Sequence, residues 1–368
     1  MTIRKLLFSF AGSATVCLAV AGASLASVPR AFVSINGSDL NPCSATQPCR
    51  SFNQALTVVQ PGGEIVVQNS GGYSTGFTIT QSVTIDAAGS NASVISTSST
   101  DLCTINAGPS DRVVLRGISF HGASVGGSAI HATQVGSLYV EHCSISEFNG
   151  DGVRTDGGSL WVTDTTVRAC SVGIEAAPPT SHLVVQDSLI SESTDTGVNI
   201  GTGGNPAPAT ALLVNCTAAL AKHGTGFGLQ SNNSADVDMM LVNCRSFGNS
   251  IGLQATGQST GNVTVRMTGC ALTGNAGGII ANAFGTGVAS VVGTGPGTNF
   301  ITGNTTDGST TGSVTLAIWM QGPWDIDRLP SKSDPCLPPS ALASDRRRPE
   351  RATASARKDW SPITRERT

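Results

Sequence analysis

The chain has 368 residues, of which 12% are charged and 5% aromatic, while glycine alone supplies 44. Soluble domains run at about 25% charged residues, and a chain this rich in glycine, small and β-branched residues is unsuited to a helical bundle. At 39% hydrophobic it is too apolar for disorder along its whole length, and a net charge of −3 gives no general attraction for nucleic acid.

Residues 1–26 read as an export signal. Arg4 and Lys5 form a positive head, Leu6 to Ala23 an apolar stretch, and Ser24-Leu25-Ala26 a cleavage site, so a mature chain begins near Ser27. No other stretch is long and apolar enough to span a bilayer. The expected location is therefore extracellular or periplasmic. Of the ten cysteines, Cys43 and Cys49 share a proline-bearing loop, Asn41-Pro-Cys-Ser-Ala-Thr-Gln-Pro-Cys-Arg50, and form the expected disulfide. Residues 27–62 are expected to be a cap: Arg50 to Val59 has apolar Phe52, Ala55, Leu56 and Val59 at helical spacing, and Pro61-Gly62 stops it. The first coil is then expected from Glu64-Ile-Val-Val67.

Beyond the cap a short phrase recurs: a strand, a small residue, a second strand, a polar turn, then glycine and an aliphatic residue. The small positions are Gly117, Cys143, Thr165, Ser188, Cys216, Cys244 and Cys270, at spacings of 26, 22, 23, 28, 28 and 26 residues. The second anchors are Gly152-Val153, Gly173-Ile174, Gly197-Val198, Gly228-Leu229, Gly252-Leu253 and Gly278-Ile279. Glycine is expected to permit the bend and the aliphatic residue to point inward. A coil this short cannot bury its inward face alone, so stacking must supply the core.

The phrase from Leu241 to Leu253, Leu-Val-Asn-Cys-Arg-Ser-Phe-Gly-Asn-Ser-Ile-Gly-Leu, resembles the parallel β-helix repeat of the pectin-lyase-like superfamily, over roughly Gly63 to Leu316. The resemblance implies an all-β chain: a right-handed single-stranded parallel β-helix over residues 63–319, with an N-terminal capping helix. Residues 320–368, rich in proline and arginine and without periodicity, are expected to be a disordered tail.

In enzymes of this fold substrate lies along one exposed parallel sheet, and the strand after each glycine–aliphatic pair is the candidate here. Its outward positions are His131, Arg154, Glu175, Asn199, Gln230, Gln254 and Ile280, with Asp156, Asn232 and Thr256 two residues further on. His131, Arg154, Asp156 and Glu175 form the ionisable cluster: a base, a cation for a sugar carboxylate, and an acid. Asn199, Gln230, Asn232 and Gln254 suit hydrogen bonding to polysaccharide hydroxyls. Against these stands a solvated polar face whose charges pair across rungs.

A second outward ladder, Arg116, His142, Asp164, Asp187, Asn215 and Asn243, puts two aspartates one coil apart. Asp164 and Asp187 could share a cation, but two carboxylates are too few for a convincing calcium site, so no cofactor is expected and calcium stays an alternative that no motif supports. The stacked cysteines read as core residues. Gly248-Asn-Ser-Ile-Gly252 spells a nucleophile elbow without its strand-to-helix setting. The catalytic phrases of pectate lyases and polygalacturonases are missing too. The residues thus favour a secreted protein that contacts extracellular or cell-surface polysaccharide by binding or adhesion. A lyase or hydrolase acting on an acidic glycan, and a structural solenoid without ligand, remain the alternatives.

Overall fold

The computed structural model describes residues 27–315 except 75, 178–179, 202–208, 222, 232–234, 259, 294–298 and 311; the stretches expected to be an export signal and a disordered tail, and Asn232, lie outside the described residues. Among the described residues the chain winds as a parallel β-solenoid whose coils stack into one 12-stranded and two 10-stranded sheets. We call the 12-stranded sheet the first. The second holds the strands that follow it in each coil, such as Ser144–Ser146, and the third holds the strands that close the coil, such as Ile130–Gln134. Every strand pairing is parallel to the coils before and after, as in Tyr139 to Trp161 on the first sheet and Val153 to Ile174 on the third.

Alternation along each strand produces the core. On the first sheet Leu138 and Val140, Leu160 and Val162, and Leu183 and Val185 point inward and are buried. One coil covers the next, so burial accrues rung by rung. Ring stacking adds to this on the outside, where Tyr139 and Trp161 lie 4.6 Å apart at 7°.

The N-terminal strand Val28–Val33 pairs with Val59–Val67, and the helix Phe52–Val58 packs beside them. Ser51 caps it, its side chain accepting from the backbone N–H of Gln54. The helix stops before the proline–glycine pair because Val59 is already extended and committed to the sheet. Cys43 and Cys49 are joined as a disulfide.

The bend from first to second sheet corrects the alignment of the repeat. Gly117, His142, Asp164, Asp187, Asn215, Asn243 and Gly269 all have positive φ, between 50° and 70°. Asparagine, aspartate, histidine and glycine tolerate that left-handed conformation best. Gly117 belongs to this column, and Ile118, not Gly117, stands level with Cys143. A glycine met both the small-residue and the left-handed requirement, so the sequence alone did not separate them. Arg116 likewise leaves the ladder assigned to it, standing level with Glu141 and pairing with it at 2.8 Å. Asp187 accepts from Asn215 Nδ2 at 2.8 Å, and Asp164 pairs with His142 at 3.0 Å. These aspartates serve a backbone bend.

The glycine of each glycine–aliphatic pair also has another cause than the one expected. Gly152, Gly173, Gly197, Gly252 and Gly278 have no positive φ. A Cβ at Gly173 would stand 2.3 Å from Ile190 Cγ2 and 2.4 Å from the Gly197 carbonyl oxygen. Close approach of neighbouring coils, not a bend, requires glycine there.

Cys216, Cys244 and Cys270 are buried, each thiol facing main-chain carbonyl oxygens such as those of Val185, Leu213 and Leu241. Burial pushes the Cys143 thiol up to about 11. Asn249 and Asn275, also buried, form a second internal ladder: Asn275 Nδ2 donates to the Ser246 carbonyl, and its Oδ1 accepts from the Asn249 N–H, both at 3.0 Å. Asn275→Ala leaves both main-chain groups without these partners and is expected to cost about 2–3 kcal/mol in chemical denaturation. A loss below about 0.5 kcal/mol would remove the ladder from the stability account.

Candidate functional site

The third sheet carries the candidate row. His131, Arg154, Glu175 and Asn199 stand level on consecutive strands, Ile130–Gln134, Val153–Thr155, Val172–Ala176 and Thr196–Ile200. The next position is Gly228, followed by Gln254 and Ile280. Gln230 is therefore not in this row; it stands level with Thr256 in the column two residues on. The inward anchor of that coil is Phe227, level with Val198 and Leu253, and the glycine before it is Gly226. An aromatic residue in an aliphatic position hid the true pair, while Gly228-Leu229 imitated it.

Three of the four ionisable candidates are in direct contact. His131 Nδ1 donates to Asp101 Oδ2 at 2.6 Å, and His131 Nε2 donates to Asp156 Oδ2 at 2.9 Å. Arg154 Nε donates to the other Asp156 oxygen at 2.8 Å, and the same guanidinium reaches Asp151 Oδ2 at 3.6 Å. With both ring nitrogens facing carboxylates, His131 is an imidazolium donating twice. Burial alone would lower its pKa, but the bonds to Asp156 and Asp101 outweigh that and raise it. Burial would raise Asp156, yet the bonds from His131 and Arg154 hold its carboxyl below the usual carboxylate range.

Glu175 is the fourth. Although its strand position faces outward, it is only 6% exposed. Burial pushes its carboxyl up to about 7, against a hydrogen bond from Asn199 Nδ2 at 2.8 Å; the negative charge of Asp151 adds to the rise and Arg154 opposes it. Its carboxyl thus exchanges a proton near neutrality, as a general acid must. Further along, Gln254 Oε1 accepts from Thr225 Oγ1 at 3.0 Å and its Nε2 donates to Thr256 Oγ1 at 3.3 Å.

Asp101 and Asp151 were missed because they precede the strands and occupy no outward strand position. A signal was present: Asp101, Asp151 and Asp195 recur three or four residues before Thr104, Arg154 and Asn199. Asp101 is fixed by the Ser128 N–H at 2.7 Å. Among the described residues no group of three histidine, cysteine, aspartate or glutamate side chains is arranged to hold a metal ion.

Ion pairs across rungs are common here: Arg168 with Glu192 at 3.4 Å, and Arg266 with Asp238 at 3.1 Å. The third-sheet cluster differs in linking five charged groups continuously, with His131 and Asp151 at 20% and 13% side-chain exposure.

A family model described as a right-handed β-helix region matches residues 62–218 and, in an overlapping match, 103–268, together more than half of the chain. No curated protein sequence gives a match. Among solved structures the chain is similar to the pectate lyase Pel9A, at 19% identity over 83% of this chain and 82% of that one, with a TM-score of 0.42. It is also similar to the tailspike gp49 of Acinetobacter baumannii bacteriophage Fri1, described as a capsular polysaccharide depolymerase, at 11% identity, 72% and 58% coverage and a TM-score of 0.39. An alginate lyase from Paenibacillus sp. aligns at 14% identity, 78% and 100% coverage and a TM-score of 0.30.

Proposed function

This chain belongs to the right-handed β-helix family, and from that premise we propose that it is an exported protein that holds polysaccharide along the outer face of its third sheet. Binding is favoured over turnover by the pairing within the cluster. Both nitrogens of His131 and both oxygens of Asp156 are engaged, so neither is free to act as a base. Polar side chains stand one rung apart from His131 to Asn199 and resume at Gln254 beyond Gly228, offering hydrogen bonds at multiples of about 4.8 Å, suited to an extended chain of hydroxyls. Asn199 and Gln254 belong to that row, Gln230 flanks it, and Asn232 remains a sequence-based candidate.

One observation favours a second reading, a polysaccharide lyase or hydrolase. Glu175 titrates near 7 while neighbouring Asp156 stays ionised, the division of roles that acid–base chemistry needs. Here Arg154 and Asp156 would position substrate, and His131 would act only after release from one carboxylate.

The full mature chain, incubated with a panel of acidic and neutral polysaccharides with and without calcium, separates the two readings. Binding predicts retention on at least one immobilised polysaccharide, weakened at least tenfold by Arg154→Ala, with no new reducing ends or unsaturated uronates. Product formation abolished by Glu175→Gln would replace binding with catalysis. Absence of both retention and products would leave the structural solenoid.

A further inference from the structure

Resting on that reading of the third-sheet face, we infer that the strip takes a polysaccharide lacking carboxylates and turns polyuronates away. The charge inventory around the row carries the inference. Asp101, Asp151 and Asp156 surround His131 and Arg154, and exposed Asp195 stands close enough for its charge to act on Glu175. Among the described residues of the cluster four aspartates face two cations, so the cluster is net negative even with Glu175 protonated. Both cations are already occupied. Arg154 spans Asp151 and Asp156, and His131 spans Asp101 and Asp156, so a uronate would have to displace a carboxylate from each.

The remainder of the row offers no replacement. Among the described residues Asn199, Gly228, Gln254 and Ile280 are uncharged, as are Gln230, Thr256 and Asn282 beside them. Like charges brought together at short range are unfavourable, and partial exclusion of water strengthens the repulsion. Calcium could reverse this by bridging protein and sugar carboxylates. The aspartates, however, are directed at His131 and Arg154, and no described group of three converges on a cation position. Sugar hydroxyls meet no such barrier, because a hydroxyl donates to a carboxylate oxygen whose remaining lone pairs are free.

The test is retention of the full mature chain on immobilised dextran, galactomannan and xylan, and on polygalacturonate and alginate, at low salt with either calcium or chelator. We expect retention on at least one uncharged polymer and at least tenfold less on both polyuronates. Retention on a polyuronate equal to that on the uncharged polymers, in either buffer, overturns the inference while leaving the proposed face intact. No retention on any polymer refutes the proposed face itself. Asp195→Lys supplies the second measurement, since the charge of Asp195 acts on Glu175 and, among the described residues, it forms no ion pair with the cluster. It is expected to create polyuronate retention that disappears at high salt. Unchanged exclusion would overturn electrostatic repulsion as the cause.

Discussion

Gly173→Val is expected to lower the stability of the solenoid by about 3 kcal/mol or more, the upper range for forcing atoms into a packed interior. The new Cβ would meet Ile190 Cγ2 at 2.3 Å and the Gly197 carbonyl oxygen at 2.4 Å. The first contact can relax by rotating a side chain. The second cannot, because Gly197 is held between the coils on either side. The stack must therefore open at that rung, beneath Glu175. Gly89→Ala is the control: no atom lies within 4 Å of its Cβ, so a change within about 1 kcal/mol is expected, of either sign. Thermal and urea unfolding of both variants decide the matter. Equal stability of the two would show that the glycine column is not there to let coils approach.

The second large effect is on pH. Burial pushes the Glu175 carboxyl up to about 7 in the folded chain, from an ordinary value near 4.5. Its folded pKa is raised, so its contribution is fully present below the unfolded value and is lost as pH rises from about 4.5 through 7. Each pKa unit is worth about 1.4 kcal/mol, giving a loss of about 3 kcal/mol across that window. His131 acts in the same direction: its folded pKa lies above 6.5, and its stabilisation fades as pH rises through the folded value. Asp156, held low, acts oppositely: its stabilisation is fully present above the ordinary carboxylate value of about 3.8 and is lost only as pH falls below it, outside this window. Stability should fall from pH 5 to 8. Glu175→Gln should remove most of the fall, gaining about 3 kcal/mol at pH 8 and almost nothing at pH 4. A pH-independent gain, or none, would mean that Glu175 is better solvated than its 6% exposure implies.

The solenoid was legible because its determinants repeat. Alternating inward aliphatic residues, a small residue after most first-sheet strands and a glycine before the third-sheet anchors from Val153 onward are local requirements, restated every 22 to 28 residues. Errors arose where one residue type satisfies two requirements. Gly117 is both small and left-handed, and Gly228 precedes an aliphatic residue although Gly226-Phe227 is the anchor. The candidate site was half legible. His131, Arg154 and Glu175 follow from alternation and register. That His131 would be clasped on both nitrogens depends on Asp101, which enters from a loop 30 residues earlier. The near burial of Glu175 was equally hidden, since its strand position alone predicts exposure. Outward position fixes a direction, whereas exposure depends on what neighbouring coils place alongside.

Hydroxyl-radical footprinting of the full chain, with and without a polysaccharide that retains it, tests the claimed face most directly. Protection is expected at His131, Arg154 and neighbouring residues of the third-sheet strands, with Tyr139 and Trp161 on the first sheet unchanged. Protection centred on Tyr139 and Trp161, with His131 and Arg154 reacting as in the free protein, would place the polysaccharide on the other face and contradict the account.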